Sequence, residues 1–250
     1  NICIYPLEKP LGYGSTLRDN LAKERIRFDG MALFPEAATN YIRRSRGGRD
    51  DKYNHVYIPA NYIYQYFTNM SIDTEDTKFI YFNGFDYAWP LFSQDEMKAV
   101  GHYDIKFTLP PVPKAGIYEL RYRMLATGVR GVVQVYFGSD PNNLPVTGIP
   151  IDMRRGLEYY VDPGVELNPK DADAKYDLDM ALRNHMVMKI GRHESTDGKI
   201  GMGGKNVAFS NGNTAARDAS NNVRHIIVRQ QMFPDKTYYV RFKSVIENEQ

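Results

Sequence analysis

Tyr118, Leu120, Tyr122 and Met124 alternate with Glu119, Arg121 and Arg123, and this period of two constrains the fold more than any other feature of the chain. Successive side chains of a strand point to opposite faces, so one face of this segment is apolar and the other charged. Tyr103, Ile105, Phe107 and Leu109 repeat the pattern against Asp104, Lys106 and Thr108. Further on, Thr127, Gly128 and Gly131 allow a turn, and Val133, Val135 and Phe137 start another strand. The spacing predicts two long antiparallel strands joined at that turn, in a sheet that is wet on one side. Such a sheet belongs to a β-sandwich.

Other strand signals follow the same logic. Lys78–Phe82 is one, and Ile149–Met153 is another, with Pro150 placing it at a sheet edge. Val223–Met232 and Tyr238–Val245 flank a Pro234-Asp235-Lys236 turn. Some seven or eight strands with long connections predict a mainly β chain, a jelly-roll β-sandwich. Between them, Gly156–Asn222 is rich in Gly, Asn and Asp, with one helical patch near Asp171–His185. It reads as an excursion over one end of the sandwich.

The N-terminal part differs. Thr16 to Asp19 fits a capping box ahead of Leu17 and Leu21 on one helical face. Phe34, Ala37, Ala38, Tyr41 and Ile42 keep helical spacing after Pro35 and Glu36, and Arg43–Lys52 is a charged, solvated loop. The expected organisation is a short helical or extended segment over 1–75 and the β-sandwich domain over 76–250.

Composition narrows the function. With 32 basic against 30 acidic residues the net charge is +2, without the basic excess that phosphate contacts demand, so no nucleic-acid partner is expected. The single Cys3 excludes an internal disulfide and any cysteine-based metal site. No apolar run approaches the roughly 18 residues of a membrane helix, so no transmembrane span is expected. Asn1 in place of Met suggests a processed or truncated start, upstream of which a signal peptide or lipid anchor would lie.

No catalytic set emerges, and the chain is not expected to be an enzyme. The histidines 55, 102, 185, 193 and 225 never take the spacing of a helical zinc pair. His102 and His225 read as surface or hydrogen-bonded strand residues. Gly201-Met-Gly-Gly-Lys205 lacks the glycine spacing and the following Ser or Thr of a phosphate loop, and Gly12-Tyr-Gly-Ser15 is no nucleophile elbow. Asp162, Asp171, Asp173, Asp177 and Asp179 offer carboxylate pairs for glycoside hydrolysis, but clustered in a polar excursion they read as loop solvation or helix capping. Calcium is the one ion such oxygen ligands suit; EF-hand spacing is absent, and the expectation is no cofactor.

The aromatic residues carry more. Phe82-Asn-Gly-Phe-Asp-Tyr-Ala-Trp-Pro-Leu-Phe92 gathers five rings in a segment broken by Gly84 and Pro90. Rings presented by loops stack on sugar faces, while nearby Asp and Asn hold hydroxyls. The predicted ligand-binding residues are therefore Trp89, Tyr87, Asp86 and Asn83, with Tyr159 and Tyr160 from a second loop. Phe82, Phe85 and Phe92 are expected to plug the end of the core.

Tyr5-Pro-Leu-Glu-Lys-Pro-Leu-Gly-Tyr13, Lys23-Glu-Arg-Ile-Arg-Phe-Asp29, Leu33-Phe-Pro-Glu36, Gly101-His-Tyr-Asp-Ile-Lys-Phe-Thr-Leu-Pro-Pro-Val-Pro113, Gly131-Val-Val-Gln-Val-Tyr136 and Tyr239-Val-Arg-Phe-Lys243 run nearly the length of the chain. Together they resemble the C-terminal region of Bacteroidota fasciclin domain-containing surface lipoproteins. The fasciclin domain itself is missing apart from its last strand near Ile2 to Tyr13, so that 1–75 reads as the tail of an upstream fasciclin-type domain plus linker, and Val146-Thr147 stand where that family pattern often has Cys. The resemblance implies a location at the cell surface, on the outer membrane of a Gram-negative bacterium. Its implied partners are a TonB-dependent transporter and that transporter's surface lipoprotein. Separately, Ala115-Gly-Ile-Tyr-Glu-Leu-Arg-Tyr122 with the Val-Gln-Val-Tyr-Phe-Gly138 run is similar to the core hairpin of galactose-binding-like jelly rolls. Two expectations follow: a non-enzymatic accessory protein of nutrient uptake that binds a glycan, or a structural docking module for another outer-membrane protein.

Overall fold

The computed structural model describes the strand segments at 55–59, 70–72 and 78–82, residues 96–167, 169–189 and 222–246, and the single positions Phe28 and Leu33. The helices expected before residue 43, the charged loop after them and the glycine run at 201–204 lie outside the described residues.

The strands, in chain order, are β1 (His55–Pro59), β2 (Met70–Ile72), β3 (Lys78–Phe82), β4 (Glu96–Val100), β5 (Asp104–Thr108), β6 (Gly116–Leu125), β7 (Val132–Gly138) and β8 (Ile151–Asp152). A 3-10 turn at Leu157–Tyr160 and helix α1 (Ala172–Asn184) come next. Strands β9 (Val187–Lys189), β10 (Asn222–Met232) and β11 (Tyr239–Ile246) complete the described set. All pairings are antiparallel, in sheets of order β1-β3-β4, β6-β10-β9 and β2-β5-β11-β7-β8. The described protein is mostly β, as the alternation requires.

One expectation is corrected. β6 and β7 are not paired with each other: β6 pairs with β10 and β7 with β11. The 126–131 connection carries the chain from one sheet to the other, with Arg130 donating to the Thr127 carbonyl at 3.1 Å. The alternation is unaffected, because it records which face is dry and not which strand lies alongside. β10 and β11 likewise fall in different sheets on either side of the Pro234 turn, where Lys236 N–H donates to the Phe233 carbonyl at 3.2 Å. β8 is shorter than the expected 149–153 and does lie at a sheet edge. β1, β2 and β4 gave no clear sequence signal, and β2, which lies before residue 75, pairs with β5.

Among the described residues, one cluster of buried side chains joins the five-stranded sheet to the β6-β10-β9 sheet. Ile105 and Phe107 of β5, Val133, Val135 and Phe137 of β7 and Val240 of β11 meet Met124 of β6, Val223 and Ile227 of β10 and Val187 of β9. Tyr118, Leu120 and Tyr122 pack against it, on the face the alternation assigns them. The Tyr122 ring of one sheet lies 5.1 Å from the Phe242 ring of the other, and Phe137 stacks on Tyr238 at 5.7 Å. Aromatic contacts of this kind add to the area they bury.

Asp104 is the exception on the wet side of β5: it is buried. Arg241, on neighbouring β11, donates from Nε and Nη2 to both of its carboxylate oxygens, and Lys243 Nζ lies 3.7 Å away. A two-point guanidinium–carboxylate pair fixes register as well as charge. Removing one partner of a buried pair strands the other, but Arg241 is partly exposed and regains water, which softens the loss. Asp104→Asn is expected to lower stability by about 2 kcal/mol, read as a lower urea midpoint with an unchanged slope. An unchanged midpoint would show that the pair contributes nothing net.

Candidate functional site

The helical patch forms α1 for a local reason. The Asp171 carboxylate accepts from the N–H groups of Asp173 and Ala174, both at 2.9 Å, and so caps the helix start. Those backbone donors, the Ala174 N–H above all, hold its carboxyl below the ordinary range. Leu178 and Leu182, one turn apart, enter the core. Arg183 reaches Asp179 and, across to β6, Glu119, each at 3.3 Å. Capping and helix pairing thus occupy two of the five aspartates considered for hydrolysis or calcium. Among the described residues no group of three or more His, Cys, Asp or Glu side chains is placed to hold a metal ion.

Just past the α1 cap at His185 stands Met186, whose φ of 57° is left-handed, a position usually given to glycine. The Met186 carbonyl accepts from Ile226 N–H at 2.8 Å, which locks the reversal onto β10. The helix end and β9 therefore lie beside the 3-10 turn at Leu157–Tyr160.

That turn carries the two tyrosines expected to bind ligand. Leu157 is fully buried and fixes its first residue. Tyr160 is half-buried, with its ring 5.4 Å from Tyr159 in an edge-on contact, 6.2 Å from the His185 ring and 6.0 Å from the His225 ring. Burial, then the nearby Asp152 carboxylate, pushes the Tyr160 hydroxyl up to about 12. Tyr160 is thus chiefly a packing residue. Tyr159 is 61% exposed, and the Arg155 guanidinium lies 4.6 Å from its ring centre.

Asp152 organises the neighbouring cations. Its carboxylate accepts from Arg154 Nε at 2.7 Å, Arg154 Nη2 at 2.9 Å, Arg154 N–H at 3.0 Å and Arg155 Nε at 3.4 Å. The Arg154 bond, ahead of the smaller effects, holds the Asp152 carboxyl below the usual range. The result is an exposed ring with the Arg155 guanidinium over it and the Asp152 carboxylate holding both Arg155 and Arg154. Such a surface offers one flat apolar face and several N–H donors.

Trp89, Tyr87, Asp86 and Asn83 lie outside the described residues, so of the six predicted residues the structure brings together Tyr159 and Tyr160. Sequence reasoning passed over Asp152, Arg154 and Arg155. Their signal was an Asp-x-Arg-Arg run just after an edge strand, where an Asp side chain folds back on the next turn. It also misread His225, taken as a surface or hydrogen-bonded residue. His225 is 5% exposed, its Nε2 has no hydrogen-bond partner, and burial lowers its pKa to about 4. Its alternation partner on β6 is Tyr122, a core-side residue, and that pairing turns the imidazole inward.

Compared with protein-family models, with curated proteins and with solved structures, the chain matches none.

Proposed function

We propose that the chain is a non-enzymatic binding protein built as a jelly-roll sandwich of galactose-binding-like type, acting at the bacterial outer-membrane surface as an accessory of nutrient uptake. Its ligand is a glycan. The observation that carries this reading is Tyr159: a ring 61% exposed, on a turn pinned by a fully buried leucine, with Arg155 against it. Rigid scaffolds that present exposed rings and convergent donors suit sugars, which have flat C–H faces ringed by hydroxyls. The antiparallel sheets with a common core, and the connections that cross between them at 126–131 and 233–238, support the sandwich topology. The resemblance to fasciclin-linked surface lipoproteins supports the location, and with it a TonB-dependent transporter and its lipoprotein as partners. Trp89 and Tyr87, with Asp86 and Asn83, belong to the same proposal as a second aromatic loop.

Tyr159→Ala is the direct test. Exposed positions outside special contacts change stability by less than about 0.5 kcal/mol, so the melting temperature should hold. Loss of one stacking ring should weaken binding on a glycan array by about 1–3 kcal/mol. A large fall in melting temperature with unchanged glycan binding would make Tyr159 structural and end its role as a contact.

One observation favours a docking module instead. Ile149 is 89% exposed and Val146 59%, both beside β8 at the end of the five-stranded sheet. Isolated surface apolar residues are ordinary, but two so exposed near a sheet edge suit a protein partner. Co-purification of a transporter together with a blank glycan array would favour this second reading.

A further inference from the structure

We propose that His225 is an acid-sensitive latch for the turn that carries Tyr159: while its imidazole is neutral and dry the turn stays closed, and protonation releases it. The inference rests on the reading of Tyr159 as a ligand contact only for its consequence, the loss of binding in acid.

The argument is one of accessibility. His225 Nε2 is buried without a hydrogen-bond partner, so a proton placed there has nothing to share its charge. Such a charge is tolerated only if water reaches it. Among the described residues, three elements lie next to the ring. β6 presents Tyr122 opposite it, and β9 presents the apolar Val187. The turn presents Tyr160, edge-on at 6.0 Å, with Tyr159 behind, and the end of α1 presents His185 against the same Tyr160 ring. Asp152 and Arg155 act on Tyr160, while Arg224, next in sequence, points by strand alternation to the other face of β10.

Of these neighbours, β6 and β9 are hydrogen-bonded to β10 on either side. The turn belongs to no sheet. Its start, Gly156, lacks a side-chain cap, and the backbone bond it makes there, Tyr159 N–H to the Gly156 carbonyl at 3.2 Å, is internal. Apolar packing therefore holds it, and segments held so open locally before the strands do. The least disruptive way to hydrate a charged His225 is to lift Tyr160.

The sign follows from burial. In the closed state the imidazole titrates near about 4; once hydrated it returns to about 6.5. The open state thus binds more protons between those values. Closure is fully favoured above about pH 6.5 and is lost progressively as pH falls toward 4, with opening rising nearly tenfold per unit in mid-range.

Amide hydrogen exchange by mass spectrometry on the full chain, corrected for the intrinsic pH dependence of exchange, tests the latch. Between about pH 6.5 and 4.5, residues 157–161 should lose about fortyfold of their protection while β7 and β11 keep theirs. His225→Leu should abolish that response, and His185→Gln should retain it. Unchanged protection of the turn in acid, a loss shared equally by β7 and β11, or a response that survives His225→Leu would each overturn the latch. If His225→Leu does not fold at neutral pH, the unaltered protein is followed by NMR. Movement of Tyr160 ring signals together with the His225 titration supports the latch, and a His225 that titrates without moving them overturns it. None of these readouts requires a glycan, so the latch and the glycan reading can fail separately.

Discussion

Ile105→Asp is expected to remove the cooperative unfolding transition altogether. Ile105 is 2% exposed in β5, paired with Phe242 of β11, which in turn pairs with Val135 of β7. An aspartate there loses the roughly 1.5–3 kcal/mol of an isoleucine's burial. It also faces a choice between a dry carboxylate and a dry carboxylic acid without a partner, adding several kcal/mol more. The sum, more than about 4 kcal/mol, is comparable to the whole stability of many domains. Repair by register shift is blocked, because moving β5 by one residue would carry Phe107 to the wet face and Asp104 away from Arg241. Lys106→Gln, one position along, is the matched control. Lys106 Nζ donates to the Pro141 carbonyl at 3.1 Å on the partly wet side, a bond a glutamine amide can approximate. Its cost should stay below about 0.5 kcal/mol. Circular dichroism melts of both variants check the pair, and equal melting temperatures would reject the assignment of faces to β5.

The same strand shows what was legible beforehand. Alternation identified Ile105 and Phe107 as core because each step along a strand turns the side chain over, a rule needing no partner. It likewise placed Tyr118, Leu120 and Tyr122. Which strand lies beside which is another matter. The Thr127–Gly131 turn looked like a hairpin, yet β6 and β7 go to different sheets, since a short connection can cross a core as readily as reverse along a sheet. β2, three residues long, is too short for any period to show, whereas β8 was found inside the Ile149–Met153 segment although it is only two residues long. α1 was legible only as a helical patch near Asp171–His185. At the candidate site, Tyr159 and Tyr160 stood out as adjacent rings, but their opposite roles did not. Tyr160 packs towards His225 and Tyr159 faces solvent because a 3-10 turn divides consecutive residues between core and water. His225 was hidden for a related reason. A histidine on an apolar face looks in sequence like one on a polar face until β10 is set against Tyr122 of β6.

Leu157→Ala should cost about 3 kcal/mol and should disable the candidate site as completely as removing its ring. Leucine-to-alanine changes at buried positions lie between about 2 and 5 kcal/mol, depending on how far the surroundings collapse into the space. Leu157 is fully buried within the common core, close to α1 and to β9, which β10 holds in its sheet. Backbone bonding gives little room for collapse, while the uncapped turn is free to shift, so a mid-range value is expected. That shift matters for function. Tyr159 keeps its outward pose because Leu157, two residues earlier, fixes the turn, and Arg155 keeps its place over the ring because Asp152 holds it from the other side. With Leu157 shortened, the ring and the guanidinium no longer share one rigid base. The two substitutions should then behave differently when combined. Their stability losses should add, since Tyr159 contributes little to the core. Their binding losses should not, because a ring that is no longer positioned has little left to lose. Denaturant titrations and glycan binding on Leu157→Ala, Tyr159→Ala and the double variant separate these outcomes. Additive losses in binding would mean that Leu157 supports the fold without positioning Tyr159, and the turn would cease to be the scaffold of the site.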